Sequence, residues 1–291
     1  MDIRVLKYFL ETAEKGSLAK AADSLLTTAP NIYRQINALE KELGVQLFRK
    51  EGRHLELTED GLFLKSRAKE IIALTNRTEE DIKKKEENIS GNIFIGAAET
   101  PAMRKIAEII ADITKKNPSI TFRFRSADSE YVCDGLDSGI LDFGILEEPA
   151  DIKKYGHIKL PVSDQWGLLM RKDNPLAKLP SIRPEDLKGV PLMCSDQMLA
   201  GNGLSGWFGS DMNELDFAVT YNLVTTPAML AEGGVGCVLT FHDLVTTEGT
   251  NLYFRRLNPK LETGLFLVWP RERRLSRASR LFLETMQKSL E

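Results

Sequence analysis

Hydrophobic positions in the first sixty residues fall at helical spacing. After Asp2, a residue able to cap a helix, Leu6, Phe9, Leu10 and Ala13 recur at i, i+3, i+4 and i+7, and Gly16 stops the run. Ser17 is placed to cap a short second helix, LAKAADSLL, whose Ala21, Ala22 and Leu25 form a small-residue face. Thr28 starts a third helix that tolerates Pro30 in its first turn, buries Ile32, Ile36, Leu39 and Leu43, and ends at Gly44. LFRKEGRHLELT then reads as a hairpin turning at Glu51-Gly52, with Leu55 and Leu57 inward. Two short helices, a tight turn and a third helix are the arrangement that presents a recognition helix to a DNA major groove.

Farther along, the period changes twice. From Thr58 the positions Leu64, Ala68, Ile71, Thr75, Thr78, Ile82, Lys85 and Ile89 follow alternating 4,3 spacing, apolar early and polar late. This predicts one long helix to about Asn88, either a weak coiled coil or a helix packed on something else. Ser90-Gly91 marks a hinge. From Asn92 onward strands and helices alternate: Ile93/Ile95/Ala97, a helix from Thr100-Pro101, Ile120/Phe122/Phe124, a helix to Gly139, then Phe143–Leu146. After a break in the prolines and glycines of 149–161, GLLMR, VPLMC, DFAVTYN, a helix from Thr226-Pro227 to Gly233, and GCVLT form a second set. LFLVW and a last helix from Leu275 close the chain. The expected class is α+β multidomain: a winged helix-turn-helix (1–57), a linker helix and hinge (58–90), and a two-lobed α/β domain (92–291). Lobe I takes about 92–162 and 264–291, and lobe II about 163–263.

Composition narrows this reading without redirecting it. Of 291 residues, 42% are hydrophobic and 28% charged, the proportions of a globular protein. No apolar run approaches the ~18 residues a membrane-spanning helix needs, and the charged N-terminus lacks a secretory h-region. Cys133, Cys194 and Cys237 are widely separated, which fits reduced core thiols in a cytoplasm. Charge gives no support to nucleic-acid binding: the chain carries −3, and residues 1–61 hold nine Lys/Arg against ten Asp/Glu, a net of −1. Placement therefore decides. With Ile32/Ile36/Leu39 inward, the third helix turns Tyr33, Arg34, Asn37 and Lys41 outward, with Asn31 and Thr28 near its N-terminal end. A lone amphipathic helix with such a face reads as merely solvated. The hairpin beside it, with Arg49, Lys50, Arg53 and His54 at the tip, reads as a wing gripping phosphates.

Over residues 9–61 the chain resembles the N-terminal domain of the LysR-type transcriptional regulators almost position for position. The landmarks are Phe9, Gly16-Ser17, Ala21-Ala22, Leu25, Pro30, Arg34-Gln35-Ile36, Leu39-Glu40, Leu43-Gly44, Leu47-Phe48, Arg53, Leu57-Thr58 and Gly61. Thr28-Ala29 stands where the family commonly has Ser-Gln, Tyr33 where it has Ser, and Lys50 replaces a frequent arginine. Losing a glutamine able to contact adenine implies a changed operator preference. The resemblance implies that the linker helix pairs two subunits, as homodimer or homotetramer, on an inverted-repeat target, with RNA polymerase a partner at promoters. More loosely, GNIFIGAAET, LDFGIL, KDNPLA and LAEGGVGCVL look like family landmarks, and the resemblance implies a small-molecule effector between the lobes.

In such sheets ligands bind outside the carboxyl ends of strands, near helix N-termini. That rule selects Glu99, Thr100 and Pro101, then Ser126 to Asp128, then Ser195, Asp196 and Thr225 as effector-binding candidates. Glu99, Asp128 and Asp196 without an inward arginine leave an anionic effector unassured. Gly201-Asn202-Gly203-Leu204-Ser205-Gly206 matches GxGxxG, but the preceding strand ends near Cys194 and residues 222–226 lack the acidic partner, so it is read as a loop at the cleft edge. The three histidines have no metal-ligand spacing, and no nucleophile or cofactor motif is readable, so neither an enzyme nor a cofactor is expected. Two alternatives stay open: a regulator with a vestigial cleft, and an enzyme with an N-terminal interaction module.

Overall fold

α1 (Ile3–Lys15) begins where the Asp2 carboxylate accepts the Arg4 amide at 2.7 Å and stops at Gly16, in the left-handed region at φ 61°. α2 (Leu18–Ser24) and α3 (Ala29–Leu43) follow; Ser17 and Thr28 hold their N-cap positions with extended backbones, but neither side chain makes a cap bond. Ile32, Ile36 and Leu39 are buried as the spacing requires, whereas Leu43, expected inside, is 41% exposed. It sits on the last turn of α3, beyond the core, and Leu47 is fully buried just after the turn instead.

β1 (Phe48–Glu51) and β2 (His54–Leu57) pair from Phe48↔Leu57 to Glu51↔His54, so Glu51 belongs to the strand and not to the turn. α4 (Glu59–Lys83) starts at Thr58, whose hydroxyl donates to the Gln46 carbonyl at 2.6 Å and accepts the Gly61 amide at 3.0 Å. A β-carbon at Gly61 would fall 2.2 Å from the Leu47 carbonyl oxygen, so the entry into α4 admits only glycine. Leu64 and Ala68 pack with Val5, Leu6, Phe9 and Leu47 in one core. The expected heptad seam is therefore used, at its start, within its own unit; Phe63 and Leu74 lie on another face and are 67% and 41% exposed.

The computed structural model describes residues 1–51, 54–83, 89–200, 203–209 and 215–290 and parts into two compact units, Met1–Lys84 and Lys85–Glu291. In the second, β3 (Gly91–Ala97), β4 (Ile120–Ser126) and β5 (Phe143–Glu147) run parallel, crossed over by α5 (Met103–Lys116) and α6 (Ser129–Ser138). β6 (Tyr155–Arg171) joins the lobes: its first part pairs with β11 (Glu262–Pro270), its last with β9 (Cys237–Phe241) and β10 (Leu252–Arg256). β7 (Pro191–Ser195) runs parallel to β8 (Asp216–Tyr221) and β9, with α7 (Asp196–Ala200), α8 (Gly203–Phe208) and α9 (Thr225–Glu232) beside them. Eight strands form one path, β4-β3-β5-β11-β6-β9-β7-β8, with the ninth, β10, paired to β6, and α10 (Arg277–Leu290) packs through Phe282 on the lobe I core.

Two expectations need correction here. The segment 149–161 is not a break throughout, since β6 starts at Tyr155 and runs through Pro161; β10 was not anticipated. Pro161 fits because the β6–β11 register shifts between Gly264↔Ser163 and Phe266↔Lys159, leaving no ladder bond for the missing amide.

Candidate functional site

On the first unit the outward face of α3 carries Tyr33, 57% exposed, and an exposed Arg34, with exposed Thr28 at its start and half-buried Asn31 and Asn37. Asn31 is a relay: its Nδ2 donates to Thr27 Oγ1 at 3.1 Å, and its Oδ1 accepts from Arg34 Nη2 at 3.2 Å. The guanidinium is thus steered from the turn that precedes the helix. On the hairpin, Arg49 pairs with Glu56 across the strands at 3.0 Å, which offsets part of its charge. Lys50 follows on β1, while Arg53 lies outside the described residues. Sequence reasoning missed Thr27, since its role is visible only through Asn31.

In the second unit the carboxyl ends of β3, β4, β5, β7, β8 and β9 converge on a cavity of about 60 Å³. Of the candidates the strand-end rule selects, Glu99, Asp128, Ser195 and Asp196 line it. So do Glu147, Trp166, Tyr221, Thr240 and Phe241, which sequence reasoning did not select. A neighbouring cavity of about 580 Å³ shares Ala98, Glu99, Val224 and Leu244 and adds Thr100, Ser126, Thr225 and Glu232. Pro101 lines neither cavity; it belongs to the turn leading into α5.

Hydrogen bonding assigns these groups different duties. Thr100 is buried, and its hydroxyl donates to buried Asp164 while accepting the Ala102 amide at 3.1 Å, so it is a structural anchor first. The Glu99 carboxylate accepts the Val224 amide at 2.9 Å, and Arg104 donates to the Asp243 carbonyl at 2.8 Å, two bonds that bridge the lobes. Asp128 caps α6 by accepting the Tyr131 amide at 2.8 Å. Trp166 donates to Thr263 at 2.7 Å and lies 4.3 Å from Phe241 between ring centroids, while Tyr221 donates to the Leu239 carbonyl at 2.7 Å. The aromatic walls are held in place. Burial, together with the neighbouring Asp164, pushes the Glu147 carboxyl up to about 8. Burial raises Asp164 as well, against the opposing bond from Thr100.

The family model described as LysR substrate binding domain matches residues 86–291, and that of the bacterial regulatory helix-turn-helix protein, lysR family, matches residues 3–62. The chain belongs to the LysR family of transcriptional regulators. This LysR-type regulator is not an enzyme: it joins a winged helix-turn-helix DNA-binding domain and a linker helix to a two-lobed, periplasmic-binding-protein-like effector domain. It is similar to the HTH-type transcriptional regulator YvbU of Bacillus subtilis, 26% identical over 286 residues covering 98% of this chain and 97% of the relative. The HTH-type transcriptional regulator AlsR of the same organism is 30% identical over 193 residues, 66% and 64% of the two chains. Among solved structures, that of CbnR, a LysR family transcriptional regulator, covers 100% of both chains at 20% identity and a TM-score of 0.77. Full-length CbnR complexed with its target DNA matches at the same identity and TM-score, covering 99% of this chain and 100% of that one. No helix among the described residues is long and apolar enough to cross a membrane.

Proposed function

We propose that this LysR-type regulator reads an inverted-repeat operator as a homodimer or a pair of dimers in the cytoplasm, and works with RNA polymerase at promoters. Residues 1–57 read DNA, 58–90 pair the subunits, and 92–291 hold the effector. The observation that carries this is the outward face of α3: Arg34, steered by Asn31, and exposed Tyr33 and Thr28 stand opposite the buried Ile32, Ile36 and Leu39. Arg34 and Asn37 read base edges, helped by Tyr33; Arg49, Lys50 and Arg53 hold the phosphate backbone and set register. In the effector unit, Glu99 bonds across the lobes to Val224, so a ligand that draws on Glu99 alters the lobe arrangement and shifts the DNA-binding equilibrium.

Gel-shift titrations across a salt series test this. Arg34→Ala is expected to weaken operator binding by about 1–3 kcal/mol and relax specificity at one base position. Arg53→Ala is expected to weaken all sequences alike and to flatten the salt dependence by about one phosphate contact. Unchanged binding in both variants would remove the DNA surface from this face.

A further inference from the structure

The cleft is lined by carboxyl groups and not by cations. Glu99, Asp128, Glu147 and Asp196 face the inner cavity, Glu232 joins Glu99 along the outer one, and among the described residues neither lining includes a lysine, arginine or histidine. The positions of these carboxyls matter as much as their number. An open α/β cleft receives an anionic ligand on free amides at helix N-termini. Here the chain's own oxygens are already in those places. Asp128 takes the Tyr131 amide of α6, Glu99 the Val224 amide before α9, and Thr100 the Ala102 amide before α5. These caps leave a ligand carboxylate fewer free amides and set oxygens beside it, and in the inner cavity it would also lie near Glu147, whose carboxyl has no hydrogen-bond partner among the described residues.

A positive ligand meets the opposite situation. Glu147 is a half-buried carboxyl with no hydrogen-bond partner among the described residues, free to pair with a cation, and Trp166, Tyr221 and Phe241 supply aromatic surface that attracts cations. The wall is pinned by the bonds of Trp166 to Thr263 and Tyr221 to Leu239, so little reorganisation is needed on binding. We propose that the effector is a small organic cation, an ammonium or guanidinium compound with an apolar body. Its charged group pairs with Asp196 and with Glu147, which releases its proton to solvent as the cation binds, against the faces of Trp166, Tyr221 and Phe241, and its body extends into the outer cavity. The inner cavity, about 60 Å³, has room for a cationic head, and it shares Ala98, Glu99, Val224 and Leu244 with the outer one of about 580 Å³, which is of metabolite size. This inference rests on reading the interlobe cleft as the effector site.

The test uses the full chain and probes matched in shape but opposite in charge: benzylammonium against benzoate, butylammonium against butyrate, with agmatine as the guanidinium probe. All three tryptophans, Trp166, Trp207 and Trp269, lie in the effector unit, so their fluorescence follows that unit alone on heating. Cations at millimolar concentration are expected to raise its melting temperature, and the carboxylates to leave it unchanged. Glu147→Gln should weaken cation affinity by about tenfold or more, as loss of a charge-assisted bond does, and Asp196→Asn should weaken it in the same direction. A response to the anions alone overturns the proposal and leaves the effector reading standing. Silence with every probe also overturns it; a shift with a cell metabolite extract then keeps an effector in the cleft, and silence there removes the effector reading too. Full cation affinity in both variants overturns the assignment to these carboxyls.

Discussion

Replacing Glu147 by glutamine should stabilise the ligand-free effector unit, and more so as pH rises. The carboxyl ionises near pH 8 in the fold against an ordinary 4.5. Between those values the folded chain keeps a proton that the unfolded chain has lost, so this group makes folding less favourable with each step upward in pH. The contribution is greatest below pH 4.5 and falls away until about pH 8, where the folded carboxyl also ionises. Working the two titrations through, the loss between pH 6 and pH 8 is about 2 kcal/mol, or about 1–2 kcal/mol once the carboxyl's partial access to the cavity is discounted. Asp164 and Tyr221, whose electrostatic coupling to Glu147 is direct, and Glu99, which lines the same cavity, remain in both proteins. Urea unfolding of the full chain, followed by tryptophan fluorescence at pH 6, 7 and 8, measures the difference. The variant should gain on wild type by that amount over the interval with the urea dependence (m-value) unchanged. Parallel pH profiles for the two proteins, or a variant less stable than wild type at pH 8, would refute the burial argument. A carboxyl kept in a place where it destabilises the fold fits a group retained for binding.

Four further predictions concern the rest of the chain. Thr12 Oγ1 is the one buried side-chain polar atom without a partner among the described residues, so Thr12→Val should stabilise the first unit by about 1 kcal/mol in far-UV circular dichroism melts. Leu26 sits at φ 52° and is 95% exposed, a left-handed position that asparagine tolerates better; Leu26→Asn should add about 0.5–1 kcal/mol in urea titrations. Gly61→Ala should destabilise the same unit by about 1–3 kcal/mol, because the new methyl meets the Leu47 carbonyl. Burial holds Cys194 near 12 and Cys237 near 11, while Cys133 is half-buried; iodoacetamide at pH 8 should label Cys133 first, Cys237 next and Cys194 last, as read by mass spectrometry.

The first unit was legible because its determinants are local. Ile32, Ile36 and Leu39 declare their face within one helix, and Gly16 and Gly44 stop helices at positions their own φ values require. Leu43 misled because the helical period continues to a turn the core does not reach. In the effector unit the strand-end rule found Glu99, Asp128 and Asp196 from chain order alone. It would have found Glu147 as well had the strand Phe143–Leu146 been followed one residue further. Other groups were beyond such reasoning. Asp164 meets Thr100 across 64 positions of sequence, and Trp166 meets Phe241 across a strand pairing that no periodicity announces. β6 resembles a loop because Gly156, Pro161 and Gly167 punctuate it; the Phe254 ring approaches so closely that Gly167 has no room for a β-carbon. The same division holds for the sites: the exposed face of α3 proposed to read DNA is written locally, and the charge of the cleft emerges only when distant strand ends meet.

One measurement bears most directly on a ligand-controlled, sequence-reading regulator: selection of bound sites from random DNA by the full chain, followed by footprinting of the winner with and without benzylammonium. The account predicts an inverted repeat whose half-sites are protected about one helical turn, ~10 bp, or a multiple of it apart, with protection that changes in extent when the cation is added. Failure to enrich any sequence, with binding that is lost uniformly as salt is raised, would contradict it.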